Sequence, residues 1–341
     1  MTATEEESAL PAWDEIKNSA DYRTLVIGNG ASINIWPDFS YSSLFDQATL
    51  GAAAADLFDR LDTKNFEFVL GRLVEAREFL EAVERDAAWT EPLYEGVRAA
   101  LFEAVRSVHV PYERLRDSVK ADYAAAMNDC SSVYVLNYDL VAYWSHMARV
   151  AETRMVDFMF DGEHFNPADT DVWSGYTEVF YPHGGLHLWQ DVRTGIAGKY
   201  RYGSGNILVQ AEDGLSASGT RAPLLVSGGS ATEKMSLIQQ SALLSFAFQR
   251  LVTNTTPTVI LGASLQETDS HIARAIAANM AGSHVAIGVH VGALDVDGLH
   301  AECERYRVAL RVGKGDRVKR DDIHFFDSST HPLGAQAMCC G

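Results

Sequence analysis

Cysteine is scarce: four residues in 341, at Cys130, Cys303, Cys339 and Cys340. No two stand at a Cys-x-x-Cys spacing, which argues against both a disulfide framework and a structural zinc site. No apolar run approaches the ~20 residues that a membrane helix needs. The start, Met1 to Ser8, is acidic and lacks the basic head and apolar core of a secretory signal, so the expected location is cytoplasmic. Basic side chains are in deficit, 28 Lys+Arg against 46 Asp+Glu, for a formal net charge of -18. Such a surface repels phosphate backbones, so direct nucleic-acid binding is not expected. Repeats and low-complexity segments are absent too.

What remains is a chain with 47% hydrophobic residues, enough for one large α/β domain carrying an insertion. Residues 1–20 read as a tail with a short helix over Trp13–Ser19, and residues 21–341 as the domain. Tyr22–Ile27 is a short β-branched run that stops at Gly28-Asn29-Gly30, the pattern of a buried strand entering a glycine turn. Ile33–Tyr41, with Pro37, reads as an ordered loop. Residues from about 46 to 128 are rich in Ala, Leu, Glu and Arg and read as a helical insertion. Within it Phe66, Leu70, Leu73 and Leu80 fall on one helical stripe.

Further strands are expected at Ser132–Leu136, Val179–Tyr181, Pro223–Val226, Thr258–Leu261, His284–His290 and Ile323–Asp327. Leu186–Trp189 reads as extended, and 195–219 as a loop or irregular hairpin. Helices are expected near 93–108, 110–127, 232–251, 269–280 and 297–310. This alternation predicts a Rossmann-like parallel sheet with helices on both faces.

Several strand ends carry polar or glycine-containing turns: Gly28 to Ser32, Asn137-Tyr138-Asp139, and Gly262-Ala263-Ser264. In open α/β sheets ligands sit beyond the carboxyl ends of the strands, so these turns can converge on one crevice. The first turn is not the dinucleotide fingerprint G-x-G-x-x-G, because Ile33 stands where the third glycine belongs. Taken singly, Asn137 to Asp139 reads equally as a helix cap. His183 and His187 could suggest a metal pair, but Gly184, Gly185 and the extended neighbours point to a turn and strand, so no metal is expected. Asp269 and His271 read as a helix start.

Taken together and in order, Gly28-Asn29-Gly30-Ala31-Ser32, Pro37-Asp38-Phe39, Asn137-Tyr138-Asp139, His183-Gly184 and Gly262-Ala263-Ser264-Leu265 resemble the motifs of the sirtuin (silent information regulator-like) family. Arg221 to Gly229 is similar to the strand that follows the sirtuin zinc module. The look is nearest to bacterial sirtuin-like defence proteins, including their late Asp-x-His, here Asp269-Ser270-His271. The resemblance implies a sirtuin-like fold and hydrolysis of NAD, as substrate, to nicotinamide and ADP-ribose in antiviral defence. Unregulated NAD hydrolysis would be lethal, so control through a homo-oligomer or a defence-system partner protein is expected.

Carried over residue by residue, the resemblance makes Asn137, Asp139 and His183 the catalytic set. Gly28, Asn29, Gly30, Ser32, Asp38, Gly262 and Ser264 become the NAD-binding set. His183, with an ordinary pKa of about 6.5, suits a general base near neutrality. Departures are plain: Ser40 replaces the arginine of Pro-Asp-Phe-Arg, Leu136 replaces the glutamine before the asparagine, and the four zinc cysteines are missing. Loss of the zinc module weakens a deacylase reading. An ADP-ribosyltransferase or deacylase, and a non-catalytic sensor of NAD or ADP-ribose derivatives, stay open as alternatives.

Overall fold

The computed structural model describes residues 10–148, 154–191, 193–200, 207–208, 221–227, 230–278, 280, 283–292, 294–312, 318–335 and 340. Gly228 and Gly229, most of the 195–219 loop, and Cys339 lie outside the described residues.

A seven-stranded parallel sheet forms the centre. Its strands are β1 (Thr24–Ile27), β2 (Ser132–Val135), β3 (Met155–Val156), β4 (Thr177–Phe180), β8 (Thr258–Leu261), β9 (Val285–Val289) and β10 (Ile323–Asp327). Their spatial order is β10-β9-β8-β1-β2-β4-β3. All four residues of β1 and of β8 are buried, as are those of β9. Strands covered on both faces read as continuous apolar runs, which is why they stood out in the sequence. Helices flank the sheet, giving a Rossmann-like α/β fold. From β1 the chain passes to β2, then to β3 at the edge and back to β4 between them, before crossing to the other side of β1 with β8, β9 and β10. The strand order therefore reverses between β1 and β8, and a reversal leaves a crevice at the carboxyl ends of the two strands.

Between β1 and β2 lie the helices Tyr41–Gln47, Ala52–Arg60, Phe66–Ala82, Thr90–Val108 and Asp117–Asn128. Phe66, Leu70 and Leu73 are buried on the expected stripe, whereas Leu80, beyond the contact, is only half-buried. Among the described residues no helix is long and apolar enough to cross a membrane.

Three expectations change. Residues 33–41 are not a loop: Gly28, extended, is followed by the helix Asn29–Ile35 and by a 3-10 turn over Pro37–Phe39. Asn29 and Gly30 disguise this helix, since turn residues occupy its first positions. The helix expected over 232–251 is two, Ala231–Gln239 and Ala242–Val252, because the Ser241 hydroxyl caps the second by accepting from Leu244 N–H. Pro223 and its neighbours join a separate antiparallel sheet, in the order β6 (Ala197–Lys199), β5 (Gly184–Asp191), β7 (Arg221–Leu225). Gly184, at φ +77°, makes the turn into that sheet; a Cβ there would lie 1.8 Å from the Leu224 carbonyl oxygen.

Candidate functional site

The crevice at the strand reversal is a cavity of about 330 Å³. Its floor comes from four adjacent strand ends: Gly28 to Gly30 after β1, Leu136 to Asp139 after β2, His183 after β4, and Gly262 to Ser264 after β8. Parallel strands all end on one side, so turns scattered over more than two hundred residues meet there. Opposite this polar floor stands an apolar roof of Ile33, Phe39, Leu44, Phe66, Leu101 and Val105. Most of it comes from the inserted helices.

The two glycine turns are packed on each other. Gly28 N–H donates to the Leu261 carbonyl at 2.8 Å and Gly30 N–H to the Gly262 carbonyl at 2.9 Å. A Cβ on Gly28 would lie 2.4 Å from Ala263 Cα, and one on Gly262, itself at φ +70°, would lie 2.3 Å from Ala31 N. Close approach of two backbones therefore accounts for these glycines, and Gly30 N–H is already committed. Leu265, buried at φ +47°, follows Ser264 at the rim. A left-handed leucine marks a loop conformation fixed by its surroundings.

Of the residues singled out from sequence, Gly28, Asn29, Gly30, Asn137, Asp139, His183, Gly262 and Ser264 line the cavity. Two do not. Asp38 faces a separate groove beside Trp36, Asp46 and His109, because the 3-10 turn sends Phe39 inward and leaves Asp38 exposed. Ser32 is fully buried behind the floor.

Ser32 instead orients the floor. Its hydroxyl donates to Asp139 Oδ2 at 2.6 Å, and Asn137 Nδ2 donates to the Ser32 oxygen at 2.6 Å. Asp139 Oδ1 accepts from Val141 N–H at 2.8 Å, a local turn just before the helix Val141–Met147, whose N-cap is Leu140. The direction of the chain follows from its end: a carboxylate can only accept, which fixes the serine proton, which fixes the amide. Asn137 Oδ1 is left over, buried and without a partner among the described residues.

Two further histidines complete the surroundings. His109, which the sequence did not flag, donates from Nδ1 to the Val110 carbonyl at 2.8 Å and accepts from Leu140 N–H at Nε2, 2.7 Å. It ties the loop after β2 to the insertion, and burial holds its pKa below the ordinary value. His183 is buried and its Nε2 lies 2.9 Å from His271 Nε2. Its Nε2 is thus engaged. Burial lowers its pKa to about 4.

Asp269 Oδ1 stands 4.0 Å from His183 Nε2 and accepts from the fully buried Lys234 Nζ at 2.7 Å. Lys234 and the helix start at Asp269 gave no sequence signal of this pairing. His183, Asp269 and His271 each offer a ligand atom within 4.8 Å of the others, the group among the described residues with the make-up of a metal site. His187, by contrast, stacks on Tyr143 at 4.3 Å, away from the cleft. Tyr143 and Trp144 are core, while Tyr138 lines the cavity and donates its hydroxyl to the Val226 carbonyl at 2.7 Å.

No curated protein matches this chain. The sequence family described as "Domain of unknown function (DUF4917)" matches residues 25–333, a span running from β1 through the last strand. That match takes in every strand end that builds the cavity, and the chain belongs to the DUF4917 family.

Proposed function

We propose that the cleft binds NAD and hydrolyses its N-glycosidic bond, releasing nicotinamide and ADP-ribose. The observation that carries this reading is Asn137 Oδ1, a buried acceptor fixed in direction and left unsatisfied at the cavity. An acceptor of that kind suits a ribose hydroxyl or an attacking water. Among the described residues the lining carries the carboxylates of Asp139 and Asp269 but no Lys or Arg, which suits the cationic pyridinium end of NAD. Its volume lies at the low end for ligand pockets, enough for the nicotinamide riboside end with the remainder running out past Ser264.

The C1′–N bond breaks with its electron pair passing to the ring nitrogen, which neutralises the pyridinium. The oxocarbenium-like centre is shielded by the carboxylates and takes the oxygen of water. The water proton passes to His183 once its Nε2 is freed. The order of motifs that resembles sirtuins supports the same reading. In the setting that resemblance implies, cytoplasmic antiviral defence, a partner or second copy would release the activity.

Incubating the purified full chain with NAD and quantifying nicotinamide tests this. Wild type is expected to release it, and Asn137→Ala or His183→Ala to slow release about 10²–10⁴-fold. One observation favours a second reading, a sensor that binds without turnover: the His183 Nε2 is already held by His271. Calorimetry separates the two. Tight NAD binding with no nicotinamide released selects the sensor, and no binding at all removes both.

A further inference from the structure

Behind the cleft wall lies a second depression of about 340 Å³, lined by residues including Met235, Phe248, His271 and Arg274. His271 stands between the two spaces. It touches His183 on one side and borders this groove on the other, and its Nδ1 is buried with no partner among the described residues.

The two Nε2 atoms at 2.9 Å can share only one proton. A proton on His271 Nδ1 would be a buried N–H without a partner among the described residues, so His271 carries its proton at Nε2 and the His183 Nε2 accepts. We infer that His271 is a positioning residue for His183: its Nε2–H holds the His183 lone pair while the cleft is empty, and Asp269 receives the ring once His183 takes a proton. An imidazolium has no lone pair, so a protonated His183 would set two N–H groups against each other at 2.9 Å. The nearest anion is Asp269 Oδ1, 4.0 Å from the same nitrogen, and a ring movement of about 1 Å brings it into hydrogen-bond range.

Lys234 pins Asp269 in place for this exchange. It also argues against a metal ion, because a divalent cation would have to enter beside a buried ammonium whose charge Asp269 already balances. The charged and titratable groups facing His271 are His183, Asp269, Lys234 and Arg274, and those facing His183 besides it are Asp269 and Lys234. The inference deepens the hydrolase reading, yet its structural half applies equally to a binding protein.

The test uses the full chain with ¹⁵N-labelled histidine and no ligand, reading ring-nitrogen chemical shifts against pH. Wild-type His183 is expected as a single tautomer with a bare Nε2. In His271→Phe, loss of the donor to the neutral form raises the His183 pKa by about one unit. In His271→Gln, whose amide N–H can still donate, the shift is largely absent; this variant also shows that folding survives. Asp269→Asn moves the His183 pKa the other way. Equal His183 titration in wild type, His271→Phe and His271→Gln overturns the inference. So does stoichiometric uptake of zinc, titrated as the chloride into chelator-treated protein with displacement of both ring signals. The rate arm is separate: nicotinamide release with kcat altered in His271→Phe, KM little changed, and rescue by His271→Gln supports positioning. A wild type that releases no nicotinamide sinks the hydrolase reading alone, because the shifts still decide the role of His271.

Discussion

Replacing Ser32 with Ala removes one buried oxygen atom from behind the cavity floor, yet the consequences are large. The hydroxyl donates to Asp139 Oδ2 and accepts from Asn137 Nδ2, both at 2.6 Å and both buried. A neutral hydrogen bond contributes about 0.5–1.5 kcal/mol and one to a charged group about 1.5–3. The sum is about 2–4.5 kcal/mol, and neither abandoned partner can turn to bulk water. Urea unfolding of wild type and variant measures it as a fall in midpoint. The variant also frees the Asn137 amide to rotate, so under the proposed function nicotinamide release or NAD affinity should fall with it, although Ser32 does not line the cavity. A stability loss under about 0.5 kcal/mol, or an unchanged Asn137 side-chain amide signal, would refute the chain of donors as described.

Gly262→Val is expected to yield little folded protein, since its Cβ would meet Ala31 N at 2.3 Å in a backbone conformation that valine avoids; a near-normal melting temperature would contradict the turn packing. Acid should destabilise the protein before the carboxylates titrate. Burial lowers His183 to about 4, His187 to about 3, His271 to about 2 and His331 to about 4. The unfolded chain binds those protons below about 6.5, so the stability held by neutral burial is intact above that pH and falls from there toward 4, by at most about 1.4 kcal/mol per pH unit per histidine. Urea midpoints that stay flat from pH 7.5 to 5 would refute this. Phe66→Ala should cost about 3–5 kcal/mol and widen the cavity, as Phe66 is fully buried at its roof; an unchanged unfolding midpoint would place Phe66 outside the packed core.

The legible parts of the sequence were those set by local backbone chemistry. Thr258–Leu261 stands as read because a strand buried on both faces spells a continuous apolar run, and Ile323–Asp327, an edge strand, stands because Ile323, Phe325 and Phe326 are buried. The convergence of Asn137, His183 and Gly262 was also within reach, since parallel strands share an end. The remainder depends on tertiary neighbours. Nothing near Ser32 announces that Asp139 will take its proton, and the Lys234–Asp269 pair joins residues 35 apart. Asp38 went astray for a local reason: a 3-10 turn, rather than an open loop, chose which of Asp38 and Phe39 would face inward.

The division of the cleft into a floor and a roof has its own consequence. The floor is built from strand ends whose turns interlock, so it cannot drift without unseating the sheet. The roof side chains come mostly from helices threaded between β1 and β2, and Leu44, Leu101 and Val105 can be exchanged for other apolar shapes with the sheet undisturbed. The floor can then stay fixed while the shape of the space above it is retuned, one side chain at a time.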